Sequence, residues 1–233
     1  MESVEYHKMK KLEDSNWWYQ ARKELMRDLI RKYRPNPQYV LDIGCGSGLV
    51  LDSLKNIPKR IGVENNPEAI NYAKEKNITI FSTIQEAPAE ADVILLMDVL
   101  EHVEDDQKML EQSLSKLRKN GIVIITVPAF DWLWSQHDKL VHHQRRYSKK
   151  QLENCIKKAG AETIYSSYWN FSFFIPTVIK KKIKTKKNVE SDLQEVSNWL
   201  NHIMLKIMLF ENKISMKFSL PIGSSVFAII RKK

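Results

Sequence analysis

Glycine is scarce in this chain, with seven in 233 residues. Three of the seven, Gly44, Gly46 and Gly48, fall inside one stretch, "LDIGCGSG" at 41–48. Cysteine is scarcer still. The two present, Cys45 and Cys155, cannot make a disulfide framework and read as free thiols in a reducing compartment. No apolar stretch is long enough to span a bilayer. The opening "MESVEYHKMKKLEDSNWW" has no apolar core of a signal peptide, so a cytoplasmic location is expected. No G-K-[ST] follows the glycines, which excludes a Walker phosphate loop. The histidines and acids show no metal-ligand spacing, so no metal site is expected.

What is present is an ordinary globular mixture, 43% hydrophobic and 28% charged. The length fits one α/β domain with additions. Formal net charge is +9, which favours an anionic partner. The excess is concentrated in "KKKIKTKK" at 180–187, which holds six lysines; without it the remainder carries about +3.

The hydrophobic period divides the chain. Residues 16–33 place Trp18, Ala21, Leu25 and Leu29 at helical spacing, with Met26, Ile30 and Tyr33 widening the stripe. Ser15 or Asn16 can cap this helix, and "RPNP" at 34–37 stops it. Residues 1–35 therefore read as a helical cap ahead of a main domain at 36–233. From there strand and helix alternate. Strands are expected at "QYVLDIG", "RIGVE", "ITIF", "ADVILLMD" and "GIVIITVP", then at "AETIYSSYW" and "SSVFAIIRK". Helices are expected at "GLVLDSLKN", at "NPEAINYAKEKN" with Pro67 in its first turn, and at "DDQKMLEQSLSKLRKN", closed by Gly121. A further one at "SKKQLENCIKKAG" is capped by Ser148 and stopped by Gly160. Alternating units of this kind imply a doubly wound, mostly parallel sheet. Residues 170–218 break the rhythm and read as a helical insertion, in which Trp199, Leu200, Ile203, Met204, Ile207, Met208 and Ile214 share one face.

The glycine loop follows the first strand and opens the first helix, where open α/β sheets bind ligands. A dinucleotide fold wants G-x-G-x-x-G, but here the third glycine comes one residue early, at Gly48. Glu64 ends the second strand, sixteen residues after Gly48. A carboxylate there can accept hydrogen bonds from both hydroxyls of a ribose. The pattern asks for a nucleoside without strong provision for a pyrophosphate, which disfavours a nicotinamide-dependent dehydrogenase.

"VLDIGCGSG", Glu64, and "LLMDVLEHVEDD" after the fourth strand resemble class I S-adenosylmethionine-dependent methyltransferases over residues 38–169. "VLEHV" is similar to small-molecule O-methyltransferases, including the ubiquinone-biosynthesis type. The resemblance implies a Rossmann-like sheet of seven strands with the last antiparallel, and S-adenosylmethionine as cofactor, leaving S-adenosylhomocysteine. It implies that Asp42, Gly44, Cys45, Gly46 and Gly48 line the methionine end, that Glu64 holds the ribose, and that Asn65, Thr83 and Ile84 lie by the adenine. It also implies that Asp98 and Val99 flank the sulfonium, with a helix cap as the less favoured reading of Asp98. "NWWYQAR" is similar to a "WWF-x-x-R" opening in a bacterial and archaeal subgroup acting in glycan and lipid-linked pathways. That likeness implies that Tyr19 and Arg22 close over the cofactor, with Arg22 pairing its carboxylate.

Transfer to an oxygen requires a proton acceptor, and histidine titrates in the right range. "SQHDKLVHHQRRYS" at 135–148 follows the fifth strand, at the ligand-binding edge. His143 is the expected general base and His102 the alternative. His137, Asp138, Arg145, Arg146 and Tyr147 are expected to hold the acceptor, with structural ion pairs as the competing reading for the arginines. The acceptor is expected to be a small molecule, sugar or lipid-linked compound. Nucleic acid is the less favoured acceptor, since the fourth strand is not followed by [DN]-P-P-[FYW]. A non-catalytic cofactor-binding module is a further alternative. Apolar residues at 171–179 run directly into the lysines, so 171–187 is expected to touch an anionic membrane surface peripherally, at its inner face.

Overall fold

A computed structural model describes residues 12–183 and 196–233. Helix α1 (Trp17–Tyr33) is capped by Asn16, whose side chain accepts from the Trp18 amide at 2.9 Å. Its inner side buries Ala21, Leu25, Met26 and Leu29 completely. The chain then builds β1 (Tyr39–Ile43), α2 (Leu49–Ser53), β2 (Lys59–Val63), α3 (Pro67–Glu75), β3 (Thr79–Phe81), β4 (Ala91–Met97), α4 (Asp106–Ser115) and β5 (Leu117–Pro128). A short α5 (Gln136–Leu140) leads to α6 (Lys149–Lys158), β6 (Ala161–Trp169), α7 (Phe174–Ile183), α8 (Asn198–Ser215) and β7 (Ser225–Lys232).

The seven strands form one sheet in the order β3-β2-β1-β4-β5-β7-β6. Strands β1 to β5 pair in parallel, and β7 runs antiparallel between β5 and β6. Every residue of β1 and β4 is buried, as befits strands covered on both faces. One apolar cluster centres on Leu41, Ile94 and Val123, the other on Val40, Leu95 and Ile124, so successive residues of each strand feed opposite faces of the sheet. The chain leaves β1 toward β2 and β3, then returns to β4 on β1's other side. The carboxyl ends of β1 and β4 thus flank the switch point.

Three local expectations are corrected. The helix at 105–120 ends at Ser115, and Gly121 lies inside β5 rather than beyond a helix. Leu117 already pairs with Ala91, and the chain bulges before Val93 pairs with Ile122, with Asn120 at a φ of 62°. Helix α2 is one short turn, ending at Ser53. The apolar face read along α8 is mostly not the buried one. Met208, Glu211, Asn212 and Ser215 are buried, whereas Trp199, Leu200 and Ile207 are exposed. Polar contacts hold α8 in place: Asn212 accepts from the Trp169 indole at 2.8 Å and donates to the Ala21 carbonyl at 2.8 Å. Lys184 to Lys187 of the lysine run, and the first eleven residues of the expected cap, lie outside the described residues.

Candidate functional site

A cavity of about 1250 Å³ opens at the switch point. Its walls come from α1 (Trp17, Trp18, Tyr19, Arg22), the glycine loop, the ends of β2 and β4, the segment after β5, and α7. Although adjacent on a helix, both Trp17 and Trp18 border it. Trp17 packs on Phe173 at 4.8 Å between ring centroids, and Trp18 on Trp169 at 6.0 Å.

The three glycines of the loop turn out to have different reasons. A Cβ on Gly44 would approach Val99 Cγ2 to 2.8 Å, so the two loops touch. A Cβ on Gly46 would meet nothing within 4 Å, because this glycine fronts the open cavity. Gly48 faces away from the cavity. Its φ is +74°, and a Cβ there would overlap Ile78 Cδ1 and press on Ala73. The expectation that Gly48 touches a ligand is therefore corrected, since it lets α2 sit against the segment leaving α3.

Asp42 is also corrected. It is fully buried beneath the loop and does not line the cavity. Burial pushes its carboxyl up to about 8, against the lowering effect of Arg22, and neither oxygen has a hydrogen-bond partner. Cys45 does line the wall, and burial raises its thiol, so it stays neutral.

Glu64 stands at the cavity edge. Its Oε2 accepts from the Gly46 amide at 3.0 Å, and its Oε1 from the Asn65 and Asn66 amides at 2.9 and 3.0 Å. The carboxylate is thus fixed by three backbone donors, and Oε2 keeps a lone pair for a further one. Asn65, Thr83 and Ile84 line the same end. At the other end Asp98, at a φ of 55°, forms an ion pair with Arg22 and accepts from Thr126 Oγ1 at 3.1 Å. Arg22 also lies over Trp18, 4.5 Å from the ring centroid. Asp98 is therefore an ion-pair partner rather than a helix cap, and the Arg22 cation expected for a ligand carboxylate is engaged by Asp98. Tyr19 and Val99 line the walls.

The stretch 135–148 divides sharply. His143 Nδ1 lies 2.8 Å from Asp138 Oδ1, and His143 itself lines the cavity. Asp138 is fully buried and does not face the cavity. It accepts from Arg146 Nε at 2.8 Å and Nη2 at 2.9 Å, and from the Ser135 amide at 2.6 Å. Burial alone would raise its carboxyl, but the bonds from His143 and Arg146 outweigh it and hold the group below the carboxylate range. The expected acceptor contact by Asp138 is thus corrected to an internal clamp. His137 and Arg146 do line the cavity. Arg145 and Tyr147 do not: both bond Asp106 Oδ2, at 3.2 and 2.8 Å, and Arg145 also donates to the Glu104 carbonyl. They tie this stretch to α4, so the ion-pair reading holds for Arg145.

Glu101 carried no assigned role in the sequence, yet it is the most unusual side chain of the site. It is fully buried, both its oxygens lack partners, and burial beside Asp98 pushes its carboxyl well above the usual range. His143 Nε2 lies 3.9 Å from its Oε1. His102 sits edge-on to His143 at 4.6 Å between centroids, and burial lowers its imidazole to about 4. Glu101, His102 and His143 each place one ligand atom within 4.8 Å of the others, close enough for a single divalent ion to bridge. Sequence spacing gave no hint of it, because His143 arrives from 41 residues away.

Residues 17–166 match the family model described as a methyltransferase domain. The chain belongs to that family. Its sheet order and glycine loop are those of the class I S-adenosylmethionine-dependent methyltransferases, enzymes that use S-adenosylmethionine as methyl donor. Among curated relatives, a ubiquinone biosynthesis O-methyltransferase of Rickettsia canadensis is 35% identical over 97 residues, 37% of this chain and 41% of that protein. One of Bradyrhizobium diazoefficiens is 33% identical over 103 residues, again 41% of its length. The chain thus aligns with about two fifths of these relatives. Among solved structures, a S-adenosylmethionine-dependent methyltransferase from Thermotoga maritima superposes with a TM-score of 0.63 at 18% identity, covering 99% of this chain and 96% of that one. Magnesium protoporphyrin IX methyltransferase from Synechocystis, with S-adenosylhomocysteine bound, gives 0.59 at 12% identity, covering 74% and 91%.

The cavity of this methyltransferase fits that cofactor. It offers open space over Gly46, a carboxylate with a spare lone pair at Glu64, and the Arg22–Asp98 pair at the opposite end.

Proposed function

We propose that this methyltransferase methylates an oxygen of a small-molecule or lipid-linked acceptor, with His143 as the general base. The observation that carries the reading is the Asp138–His143 pair. With Nδ1–H donated to a fully buried carboxylate, the lone pair of Nε2 is left on the cavity side, beside Glu101. Bidentate Arg146 keeps Asp138 ionised, which fixes the imidazole's tautomer and stabilises the charge it gains on taking a proton. S-adenosylmethionine, when bound, supplies an electrophilic methyl group that needs alignment more than activation. Glu64 would hold its ribose and Gly44 to Gly46 its methionine end, with Asn65, Thr83 and Ile84 beside the adenine. Trp18 and Tyr19, which lie against Arg22, would keep water from the opposite end of the cavity. The ubiquinone-type relatives, O-methyltransferases by name, support an oxygen acceptor.

The test separates binding from turnover. Glu64→Ala is expected to weaken cofactor binding about 10–100-fold in calorimetry, the equivalent of about one hydrogen bond to a charged group. His143→Ala is expected to leave cofactor affinity within about twofold and lower kcat about 10²–10⁴-fold on extracted lipid, glycan and small-molecule fractions. Equal kcat in His143→Ala and the parent would remove the base from the reading. Turnover lost to a chelator and restored by a divalent ion would assign proton loss to a metal on Glu101, His102 and His143. Labelled methyl appearing on nucleic acid would change the acceptor class.

A further inference from the structure

Helices α7 and α8 are built inside out for a protein surrounded by water. In α8 the buried side carries Glu211, Asn212 and Ser215 beside a single apolar residue, Met208, whereas Trp199, Ile207 and Phe210 are 74%, 40% and 67% exposed. In α7, Phe174 is buried against Phe130 and Trp132, whereas Ile175 and Ile179, one turn apart on another side, are 68% and 50% exposed. Of ten large apolar residues exposed among the described residues, eight lie between 171 and 218, so the apolar surface is local to this segment. Surface of that kind marks an interaction site.

Charge selects the partner. Within 171–183 and 196–218 the sequence holds one acidic residue, Glu211. It is buried, and accepts from the amides of Phe171 and Ser172 at 3.0 and 2.8 Å. Lys206 and Lys213 are exposed on α8 and Lys217 just beyond it, and six further lysines follow Ile179 in the sequence. A second copy of this surface would bring lysines against lysines with no exposed carboxylate from these helices to pair them. An anionic bilayer supplies an apolar layer and negative headgroups together. None of the described helices is long and apolar enough to cross a membrane, which fits a surface-lying element.

We propose that α7 and α8 dock this protein on an anionic lipid surface, with Ile175, Ile179, Trp199 and Phe210 in the acyl boundary and the lysines at the headgroups. Phe173, Pro176 and Thr177 of the α7 segment, and Met204 of α8, also line the cavity. Docking therefore brings the cavity wall to the bilayer, a route for a lipid-soluble acceptor that rests on the methyl-transfer reading. The docking itself does not rest on it.

The experiment is co-sedimentation of the full chain with vesicles of phosphatidylcholine alone or mixed with phosphatidylglycerol. Binding is expected to the mixed vesicles only, falling at least about tenfold at high salt. Lys180→Gln, Lys181→Gln and Lys182→Gln together are expected to lower the partition coefficient roughly hundredfold, at about fivefold for each lysine near an anionic surface. Ile175→Glu with Phe210→Glu is expected to abolish binding at low salt while the melting temperature and cofactor affinity stay unchanged. Absence of binding to the mixed vesicles, equal binding to neutral ones, or indifference to both variants would overturn the proposal. So would a solution dimer that the double glutamate variant splits, which would give this face to a second copy. Cofactor affinity is measured by calorimetry on the same samples, so lost docking with intact cofactor binding counts against the docking alone.

Discussion

Gly46 and Gly48 are two residues apart in one motif and both hold a left-handed backbone, yet a methyl group added at each meets a different partner. An alanine at Gly48 must hold a left-handed conformation and overlap Ile78 Cδ1. The conformation costs about 1–2 kcal/mol, and the overlap adds part of the 1–3 kcal/mol typical of overpacking. Gly48→Ala is therefore expected to lose about 2 kcal/mol of stability in denaturant unfolding while keeping cofactor affinity. At Gly46, with φ at +54°, alanine carries the same conformational cost, but the new methyl group meets nothing in the protein, so the rest of its effect falls on the ligand in front of it. The motif was legible as a motif, but which glycine serves packing and which serves the ligand was not. That distinction depends on Ile78, thirty residues on, and on Val99, which reaches Gly44 from the end of the neighbouring strand β4.

Elements are joined here by buried charges that no periodicity reveals. Asp92, at the start of β4, accepts from the Gln38 and Tyr39 amides at 2.8 and 3.0 Å, and from Arg34 and Arg118 at 2.6 and 3.0 Å. It fixes the end of α1 and the starts of β1 and β5 together. Burial alone would raise this carboxyl, but the Arg34 bond and the two amides hold it below its ordinary value. A depressed carboxylate contributes stability in full above its unfolded value of about 3.9, and loses that contribution as pH falls through the lower folded value. Asp92→Asn is therefore expected to melt well below the parent at pH 7, with the gap closing under acid; a gap independent of pH would contradict it. The strands, and helices α1, α3 and α6, were readable because their burial follows a local period and their caps are local residues. Helix α8 misled because its buried face is polar apart from Met208. Asn212 and Glu211 find partners in Trp169, Ala21, Phe171 and Ser172, which only the closed fold supplies. The tail of α4 misled because residues 117–120, helical in composition, were claimed by pairing with Ala91.

At the scale of the whole molecule, the cavity joins segments from residue 13 to residue 225, so a ligand that fills it couples most of the fold. S-adenosylmethionine at 100 times its dissociation constant adds about 2.7 kcal/mol of stability. For a domain of this size that is a rise in melting temperature of roughly 5–11 °C, read by scanning calorimetry. Absence of a shift at saturating cofactor would count against the site as described. The sequence by itself determined the α/β architecture, the ligand-binding edge and the family, because those follow from local periodicity, turn chemistry and a compact motif. Tertiary structure alone decided the chemistry around His143. Asp138, Glu101 and His102 have their ionisation shifted by burial and by neighbouring charges, and neither condition exists until distant strands have paired.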